Sequence, residues 1–345
     1  MNIKQAIEKI KLGCDLTQDE SGQVFEQIMT GAASREDIVS FLTGLSEKGE
    51  TVEEISGGAR VMRDKALKVR VEKGPVLDTC GTGGSGINRF NISTAVSFVL
   101  AGGGVKVAKH GNRSASSKCG SADVLEALGV RIDADHSIMS RCLNEINIAF
   151  LFAPIFHKAM KYAAPARKEI GKRTIFNILG PLSNPASVSC QVLGVFERKL
   201  TVPLAEVLGR LGSERALVVH GEDGLDEITI TGPTRVSELK DGAVRTYDIG
   251  PSDFGVEKAG IEEITGGSAR DNAAIVKAVL SGERGPRRDI VLINSSAGFL
   301  AAGRTADLKE GVRLAQDSID SGKALETLNA LVEMTGKAGG GKACS

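Results

Sequence analysis

Residues 76–111 read VLDTCGTGGSGINRFNISTAVSFVLAGGGVKVAKHG, and their pattern is the clearest indication of the fold class. The short apolar runs at 76–78 and 105–108 predict two strands, and the segment 91–103 predicts a helix between them. A strand, a glycine-rich loop, a helix and a second strand in this order are typical of a parallel sheet.

The same alternation continues toward the C-terminus. Further strands are predicted at 148–152, 190–195, 216–219 and 290–293, and edge strands at 227–231 and 244–247. Helices that would cover the sheet are predicted at 270–280, 308–318 and 324–333. We therefore expect an α/β protein, with a small α-helical N-terminal domain and a large α/β domain that has a mostly parallel central sheet.

The N-terminal part of the chain predicts helices. Thr17, Ser34 and Thr51 are each followed three residues later by an acid, which is the capping-box pattern. Residues 155–185 contain three prolines and do not fit the strand–helix alternation, so we expect part of them to join the helical domain. The predicted division is a helical domain at 1–70, an α/β domain at 73–335 and a disordered tail at 336–345.

The composition argues against several classes of protein. The chain has 345 residues, and its 43 basic and 43 acidic residues leave a formal net charge of zero, which argues against binding to nucleic acid or to an anionic membrane. Its six cysteines are scattered, which argues against a disulfide framework or a zinc site. The first residues lack the apolar region of a signal peptide, and no apolar run could span a bilayer, so we expect a cytoplasmic protein.

Residues 81–86, Gly-Thr-Gly-Gly-Ser-Gly, are called the glycine loop here. Several backbone amides in such a loop can approach an anion, and the following helix adds its positive N-terminal end. The spacing matches neither a dinucleotide fingerprint nor a Walker loop, and a simple turn between strand and helix remains an alternative. Asn91, Ser93 and Thr94 at the helix start offer more polar groups than one cap needs, which favours ligand contact.

Residues 109–114, Lys-His-Gly-Asn-Arg-Ser, are called the basic segment here. Three cations, Lys109, Arg113 and Lys118, lie within ten residues among glycines and small hydroxyl residues. Lysine as a point charge and arginine as a fork both suit a polyphosphate. A solvated basic loop is the alternative, but the position after a strand and before a helix start at Ser121 favours ligand binding.

Asp226 and Glu227 are adjacent acids in the turn at 220–227. Adjacent carboxylates suit Mg²⁺, which takes few protein ligands and keeps waters and phosphate oxygens. Without the two phosphate-binding segments, a solvated acidic turn would be the better explanation. The sequence shows no carboxylate pair in a glycosidase context and no Ser/His/Asp or Cys/His set.

At these residues the chain resembles the anthranilate phosphoribosyltransferases, enzymes of tryptophan biosynthesis. The matching stretches are 81–84, 91–94, 109–114, 120–129, 173–182 and 225–227. Their order and spacing agree from the helical start to about residue 335. The resemblance implies the nucleoside phosphorylase/phosphoribosyltransferase class of fold and a homodimer. It also implies transfer of the phosphoribosyl group of phosphoribosyl pyrophosphate (PRPP) to anthranilate, the second step from chorismate.

The resemblance also implies roles for individual residues. For PRPP these are Gly81, Gly84, Ser85, Arg89, Asn91, Ile92, Ser93, Thr94, Lys109, His110, Gly111, Asn112, Arg113, Ser114, Ala115, Ser116, Ser117 and Ser121. For anthranilate they are Gly81, Asn112, Arg167, His157 and Pro181. For two Mg²⁺ ions per subunit they are Ser93, Asp226 and Glu227. No acid or base is assigned, and Lys109 and Arg167 would act by positioning and charge.

Two positions depart from the family pattern. The family's glycine loop commonly ends with Asp where this chain has Ser85, and commonly has Thr where it has Arg89. We expect Arg89 to supply part of the charge neutralisation, so that the site depends less on a second Mg²⁺. The alternative is that Arg89 points to solvent.

Two other functions remain possible on the sequence. One is a pyrimidine nucleoside phosphorylase of the same fold, although those enzymes carry a different Lys-x-Ser-Thr-Gly-Gly loop. The other is a non-catalytic, nucleic-acid-binding paralogue, which should have a basic excess and no Asp-Glu pair. Neutral charge and the pair at 226–227 argue against it.

Overall fold

The computed structural model describes residues 1–72, 74–114 and 119–337. The helices are α1 (Ile3–Lys11), α2 (Gln18–Thr30), α3 (Arg35–Lys48), α4 (Val52–Lys65), α5 (Ile92–Gly102), α6 (Ser121–Ala127), α7 (His136–Glu145), α8 (Ala153–Phe156), α9 (Ala164–Ile170), α10 (Phe176–Leu182), α11 (Thr201–Arg210), α12 (Ala269–Leu280), α13 (Pro286–Ala301), α14 (Leu308–Asp320) and α15 (Lys323–Lys337). The strands are β1 (Val76–Gly81), β2 (Lys106–Gly111), β3 (Ile148–Phe152), β4 (Cys190–Gly194), β5 (Arg215–Gly221), β6 (Thr234–Lys240) and β7 (Ala243–Ile249). The sequence predicts the disordered tail at 336–345. Residues 336 and 337 belong to α15, and the rest of the predicted tail lies outside the described residues.

The first four helices begin as their capping residues predict. Thr17 and Thr51 form complete capping boxes at the starts of α2 and α4, and Ser34 accepts the third amide of α3. Their apolar faces meet at the Phe25 ring, which packs edge-on against Phe41 and, from α10, Phe176. The rings of Phe25 and Phe176 are 5.7 Å apart between centroids, so α10 shares the core of the N-terminal helices.

The sheet has seven strands in the order β3-β2-β1-β4-β5-β6-β7. The first five pair in parallel, and β6 and β7 add an antiparallel hairpin at one edge. One face of the sheet packs with α5 and α12–α15, and the other face continues into the core of α2, α4, α10 and α11. The expected α/β class, with a helical N-terminal part and a mostly parallel sheet, is confirmed.

Two predicted strands are wrong. Residues 290–293 lie inside α13, where every residue from Ile290 to Ala301 is buried. A continuous apolar run looks the same in a buried strand and a buried helix, so periodicity could not separate them. Residues 227–231 form no strand, because their backbone bonds to side chains instead: the Ile228 amide donates to Asn294 and the Thr229 amide to Thr234.

The strand order positions a binding crevice. β2 and β3 lie on one side of β1, and β4 and β5 lie on the other. Successive strands are therefore added in one direction up to β3 and in the opposite direction from β4 on, and the switch point lies between β1 and β4. Ligands of open α/β sheets bind beyond the carboxyl ends of strands at such a switch point. Here those ends are Gly81, Gly111 and Gly194. Within the described residues, no helix combines the length and apolarity needed to cross a bilayer.

Candidate active site

A cleft of about 1290 Å³ opens at the carboxyl ends of the central strands. The glycine loop, the basic segment and the turn at 226–227 form its sheet side, and α8, α9 and α10 form its other side. The volume exceeds that of a typical site for one small ligand. It is therefore large enough for two ligands side by side.

Most residues predicted to bind ligands line this cleft. They are Gly81, Gly84, Ser85, Arg89, Asn91, Ser93, Lys109, His110, Gly111, Asn112, Arg113, Ser114, Ser121, His157, Arg167, Pro181, Asp226 and Glu227. Ile92 and Thr94 do not line it, because the first turn of α5 directs both side chains into the protein, where they are 1% and 0% exposed. The predicted residues Ala115, Ser116 and Ser117 lie outside the described residues.

The glycine loop has a defined backbone that only glycine adopts easily. Gly83, Gly84 and Gly86 have φ angles of 67°, 78° and 75°. The Gly83 amide donates to Asp226 Oδ2 at 3.0 Å, and the Gly84 carbonyl accepts from Arg173 Nη2 at 2.5 Å. A Cβ at Gly84 would come within 2.7 Å of that guanidinium. The loop is therefore fixed by two distant segments of the chain.

The basic segment is supported from below by buried groups. Lys109 is 2% exposed, and its ammonium donates to Thr79 O at 2.6 Å and to Ser93 Oγ at 3.1 Å. The fully buried Asp78 accepts the His110 amide at 3.1 Å and the Asn184 amide group at 2.7 Å. Burial lowers the pKa of Lys109, and the Asp78 charge opposes that shift. This network keeps a cation at the floor of the cleft.

The arginine of the basic segment has protein partners. Arg113 Nη1 donates to Asp123 at 2.9 Å and to Glu126 at 2.6 Å, both on α6. Its side chain is 49% exposed at the cleft rim. The carboxylates already balance its charge, so Arg113 offers less attraction to a phosphate than its sequence position suggests.

Two neutral imidazoles face each other in the cleft wall. The His110 and His157 rings are 5.0 Å apart between centroids, and both Nε2 atoms are buried without a hydrogen-bond partner among the described residues. Burial lowers the pKa of His110 to about 3 and that of His157 to about 4. Both rings are therefore uncharged at neutral pH and have an unused polar atom available to a ligand.

The carboxylates of the turn lie opposite the glycine loop. Asp226 is 1% exposed, and its Oδ1 accepts from Arg89 Nη2 at 2.5 Å. Burial raises the pKa of Glu227 to about 7, with Arg89 and Lys109 opposing the shift. Because burial disfavours the charged form of Glu227, a bound cation would stabilise its carboxylate strongly.

Close backbone contacts fix the turn. The Asp226 carbonyl lies where Gly194 has no side chain: a Cβ there would be 1.8 Å from the oxygen. From α13, the buried Asn294 accepts the Ile228 amide and donates to the Ile228 carbonyl, each at 2.9 Å. Asn294 therefore pairs with the backbone as a strand would, and holds Glu227 in position.

This donor set suits Mg²⁺. Asp226, Glu227 and the Ser93 hydroxyl supply hard oxygen ligands, the type that Mg²⁺ prefers. The described residues contain no group of three or more His, Cys, Asp and Glu that could form an all-protein metal cage. An ion here would take its remaining ligands from waters and from a ligand's phosphates, which is the usual arrangement for Mg²⁺.

Arg167 lies on the helical side of the cleft. Its guanidinium stands 5.3 Å from the centroid of the Phe176 ring and makes no ion pair with any described residue. Burial lowers its pKa, but an arginine stays charged. A half-buried cation without an anion is a ready site for a carboxylate.

Sequence reasoning missed four residues that hold the site. Asp78 and Asn184 lock the basic segment, Arg173 contacts the glycine loop, and Asn294 holds the turn. Arg173 also stacks on Phe196, with its guanidinium carbon 4.0 Å from the ring centroid. A polar residue at the end of an apolar run, as Asp78 and Asn294 are, was the signal available in the sequence.

Two family models match the chain. The glycosyl transferase family helical bundle domain matches residues 4–66, and the glycosyl transferase family a/b domain matches residues 73–325. The second match alone covers more than half of the chain.

Similar proteins match nearly the whole chain. The anthranilate phosphoribosyltransferase of Moorella thermoacetica is 54% identical, over 96% of this chain and 97% of that protein. The enzyme of the same name from Geotalea uraniireducens is 53% identical, over 96% and 99%.

Solved structures of such enzymes have the same fold. The anthranilate phosphoribosyltransferase of Thermus thermophilus superposes with a TM-score of 0.91 at 45% identity, covering 96% of this chain and 99% of that one. The Saccharomyces cerevisiae enzyme in complex with PRPP and Mg gives a TM-score of 0.89 at 28% identity, covering 97% and 98%.

Proposed function

The chain belongs to the anthranilate phosphoribosyltransferase family, and from that premise we propose how its cleft works. The protein transfers the phosphoribosyl group of PRPP to the amine of anthranilate, giving N-(5-phosphoribosyl)anthranilate and pyrophosphate in tryptophan biosynthesis. One observation supports this most directly. The two anion-binding segments and the Asp226–Glu227 pair lie on one side of the cleft, and the unpaired Arg167 lies on the other.

PRPP is assigned to the sheet side. The glycine loop and the N-terminal end of α5 offer amides, and Lys109 offers a buried cation. Ser93, Asp226 and Glu227 would hold Mg²⁺, which neutralises phosphate charge when bound. The family resemblance gives two ions per subunit. Arg89 already contacts Asp226, one of the three residues assigned to these ions.

Anthranilate is assigned to the helical side. The Arg167 guanidinium would bind its carboxylate as a fork, and Asn112, Gly81, His157 and Pro181 would surround the ring and amine. The neutral His110 and His157 add no charge beside Arg167. The aromatic amine would then face C1 of the ribose.

The chemistry depends on positioning and charge. The bond from C1 to the pyrophosphate oxygen breaks, and the anthranilate nitrogen forms the new bond to C1. The nitrogen then loses one proton, which the departing pyrophosphate or water accepts. The transition state resembles an oxocarbenium ion, as in glycoside cleavage. Lys109 and the loop amides stabilise the growing charge of the leaving group. The amine is already a nucleophile, so a strong base is not needed and orientation supplies much of the acceleration.

The loss of anthranilate fluorescence on adding PRPP and Mg²⁺ tests the activity. Arg167→Gln should raise KM for anthranilate at least about tenfold with little change in KM for PRPP, since one charge-assisted fork is lost. Lys168→Gln, on the exposed face of the same helix, is the matched control. An unchanged KM for anthranilate in Arg167→Gln would contradict the assigned carboxylate site.

The alternative functions have their own outcomes. Phosphate-dependent cleavage of uridine without loss of anthranilate would favour the nucleoside phosphorylase, and tight DNA binding would favour the paralogue. Neither alternative is supported by the similar proteins described above.

The oligomeric state, the location and the domain division are also proposals. We propose that the protein is a cytoplasmic homodimer. Each subunit has a helical domain at 1–70 and an α/β domain at 73–335, and the cleft lies between them. Light scattering after size-exclusion chromatography tests the first point, since a monomer mass of 36.1 kDa would contradict it.

A further inference from the structure

Ser85 and Arg89 contact each other. Arg89 Nη1 donates to Ser85 Oγ at 2.9 Å. Its other terminal nitrogen, Nη2, donates to Asp226 Oδ1 at 2.5 Å. The Arg89 side chain is 18% exposed and the Asp226 side chain is 1% exposed, so water screens this ion pair only weakly. Arg89 therefore points into the site and not to solvent.

Both oxygens of Asp226 are engaged by the protein. Oδ2 accepts the Gly83 amide at 3.0 Å, and Oδ1 accepts the Arg89 guanidinium. A carboxylate that already accepts from a guanidinium and an amide has less negative charge to offer a divalent ion. Mg²⁺ also loses its water ligands reluctantly, so it competes poorly for a carboxylate that already has two donors.

Glu227 and Ser93 differ from Asp226. No described residue forms an ion pair with Glu227 in the way that Arg89 does with Asp226. The Ser93 hydroxyl accepts from Lys109 at 3.1 Å and keeps a second lone pair. A carboxylate and a hydroxyl therefore remain for one ion.

We propose that Arg89, held by Ser85, is a built-in cation that replaces one divalent ion at Asp226, so that the PRPP complex of this protein binds a single Mg²⁺ through Glu227 and Ser93. This proposal rests on the proposed function, which assigns the three residues to metal and PRPP. Ser85 matters because a hydroxyl accepts from Arg89, whereas an aspartate there would add a carboxylate that attracts a second ion.

A fixed guanidinium and a free ion respond differently to magnesium concentration. The guanidinium is covalently attached and cannot dissociate from the site. One ion site then depends on free Mg²⁺, and the other charge is always present. The structure thereby assigns Arg89 and Ser85 a role in setting metal stoichiometry.

The test counts bound ions directly, using Mn²⁺ as the probe. Equilibrium dialysis with PRPP on both sides of the membrane, read by the electron paramagnetic resonance of free Mn²⁺, gives the ions retained per subunit. We expect about one ion for the natural sequence and about two for the double variant Ser85→Asp/Arg89→Thr. Arg89→Lys, which keeps the charge, should stay near one.

One control tests whether any loss of a positive charge changes the ion count, and a second tests whether each variant is folded. Arg141→Thr removes an exposed arginine on α7, far along the chain from the turn, and should leave the ion count unchanged. Thermal unfolding of each variant without metal checks that it is folded. A count of two ions for the natural sequence, or the same count for it and a folded double variant, would overturn the proposal.

A further variant distinguishes failure of the inference from failure of the assigned site. Glu227→Gln should lose the retained Mn²⁺ and keep the fold. If Glu227→Gln loses the ion while the double variant gains none, the metal site is right and the role of Arg89 is wrong. If Glu227→Gln keeps its ion, the metal assignment itself is wrong.

Discussion

The glycine loop and the basic segment face the same proposed ligand but are held in different ways. The basic segment rests on buried groups of neighbouring strands, with Asp78 on β1 accepting the His110 amide on β2. The glycine loop is held by charged side chains that come from far along the chain. Asp226 is 143 residues from Gly83, and Arg173 is 89 residues from Gly84.

This difference suggests that the basic segment is preformed and that the glycine loop is adjustable. A buried network such as that of Asp78, Lys109 and Asn184 cannot exchange partners without leaving a buried group unsatisfied. Arg173 lies at the cleft surface, where a phosphate could compete for it. We therefore expect changes beneath the basic segment to affect folding, and changes around the glycine loop to affect ligand binding.

The largest effect is expected for Asp78→Ala. It removes the acceptor of the His110 amide and of Asn184, and it takes away the largest charge that offsets the burial of Lys109. The free energy of unfolding should fall by about 3–5 kcal/mol, as for other broken buried charge networks.

Urea unfolding measures this loss. Asp78→Asn, which keeps the shape and one acceptor oxygen, should lose less. A loss below about 1 kcal/mol in Asp78→Ala would mean that the basic segment is no more firmly held than the surface.

An intermediate effect is expected on acidification. The folded-state pKa values of His110 and His157, about 3 and about 4, lie below the ordinary value of 6.5. The unfolded chain therefore binds protons that the folded chain excludes, and stability present above pH 6.5 is lost as the pH falls toward 4. Each histidine contributes up to about 1.4 kcal/mol per pH unit in that range.

His157→Gln provides the comparison. It removes one of the two imidazoles, so its free energy of unfolding should fall less steeply with pH between 6.5 and 5 than that of the natural sequence. Chemical denaturation at several pH values gives both slopes. Equal slopes would show that His157 takes up its proton over the same pH range in the folded protein as in the unfolded chain.

The smallest effect on stability, and a clear one on binding, is expected for Arg173→Ala. The side chain is exposed apart from its bond to Gly84 and its stacking on Phe196, so unfolding should change by less than about 1 kcal/mol. KM for PRPP should rise about tenfold because the loop loses a fixed point, with KM for anthranilate nearly unchanged.

Arg173→Lys keeps the charge but not the fork or the planar stacking, and it should recover only part of the affinity. Steady-state kinetics with each substrate varied in turn would measure this. Equal rises in both KM values would indicate a general distortion and not a loosened glycine loop.

Local patterns in the sequence determined much of the fold. The caps at Thr17, Ser34 and Thr51 define helix starts because a side chain bonds to amides only three residues away. The strand–loop–helix order around the glycine loop is likewise set by neighbouring residues, and most predicted ligand-binding residues lie on one cleft. Such features depend on short sequence distances, so the sequence alone reveals them.

Contacts between distant segments could be found only in the tertiary structure. The ion pair of Arg89 with Asp226 spans 137 residues, and Asn184 reaches Asp78 across 106. These contacts exist because the strand order brings β1 between β2 and β4 and carries the turn after β5 over the end of β4. The hydrophobic periodicity of a segment predicts which face of its helix or strand a residue occupies. Which residue it then contacts on another element depends on the order in which the strands are assembled into the sheet. Most residues that line the cleft could therefore be predicted from the sequence, but which of their charges are paired depends on contacts between distant segments.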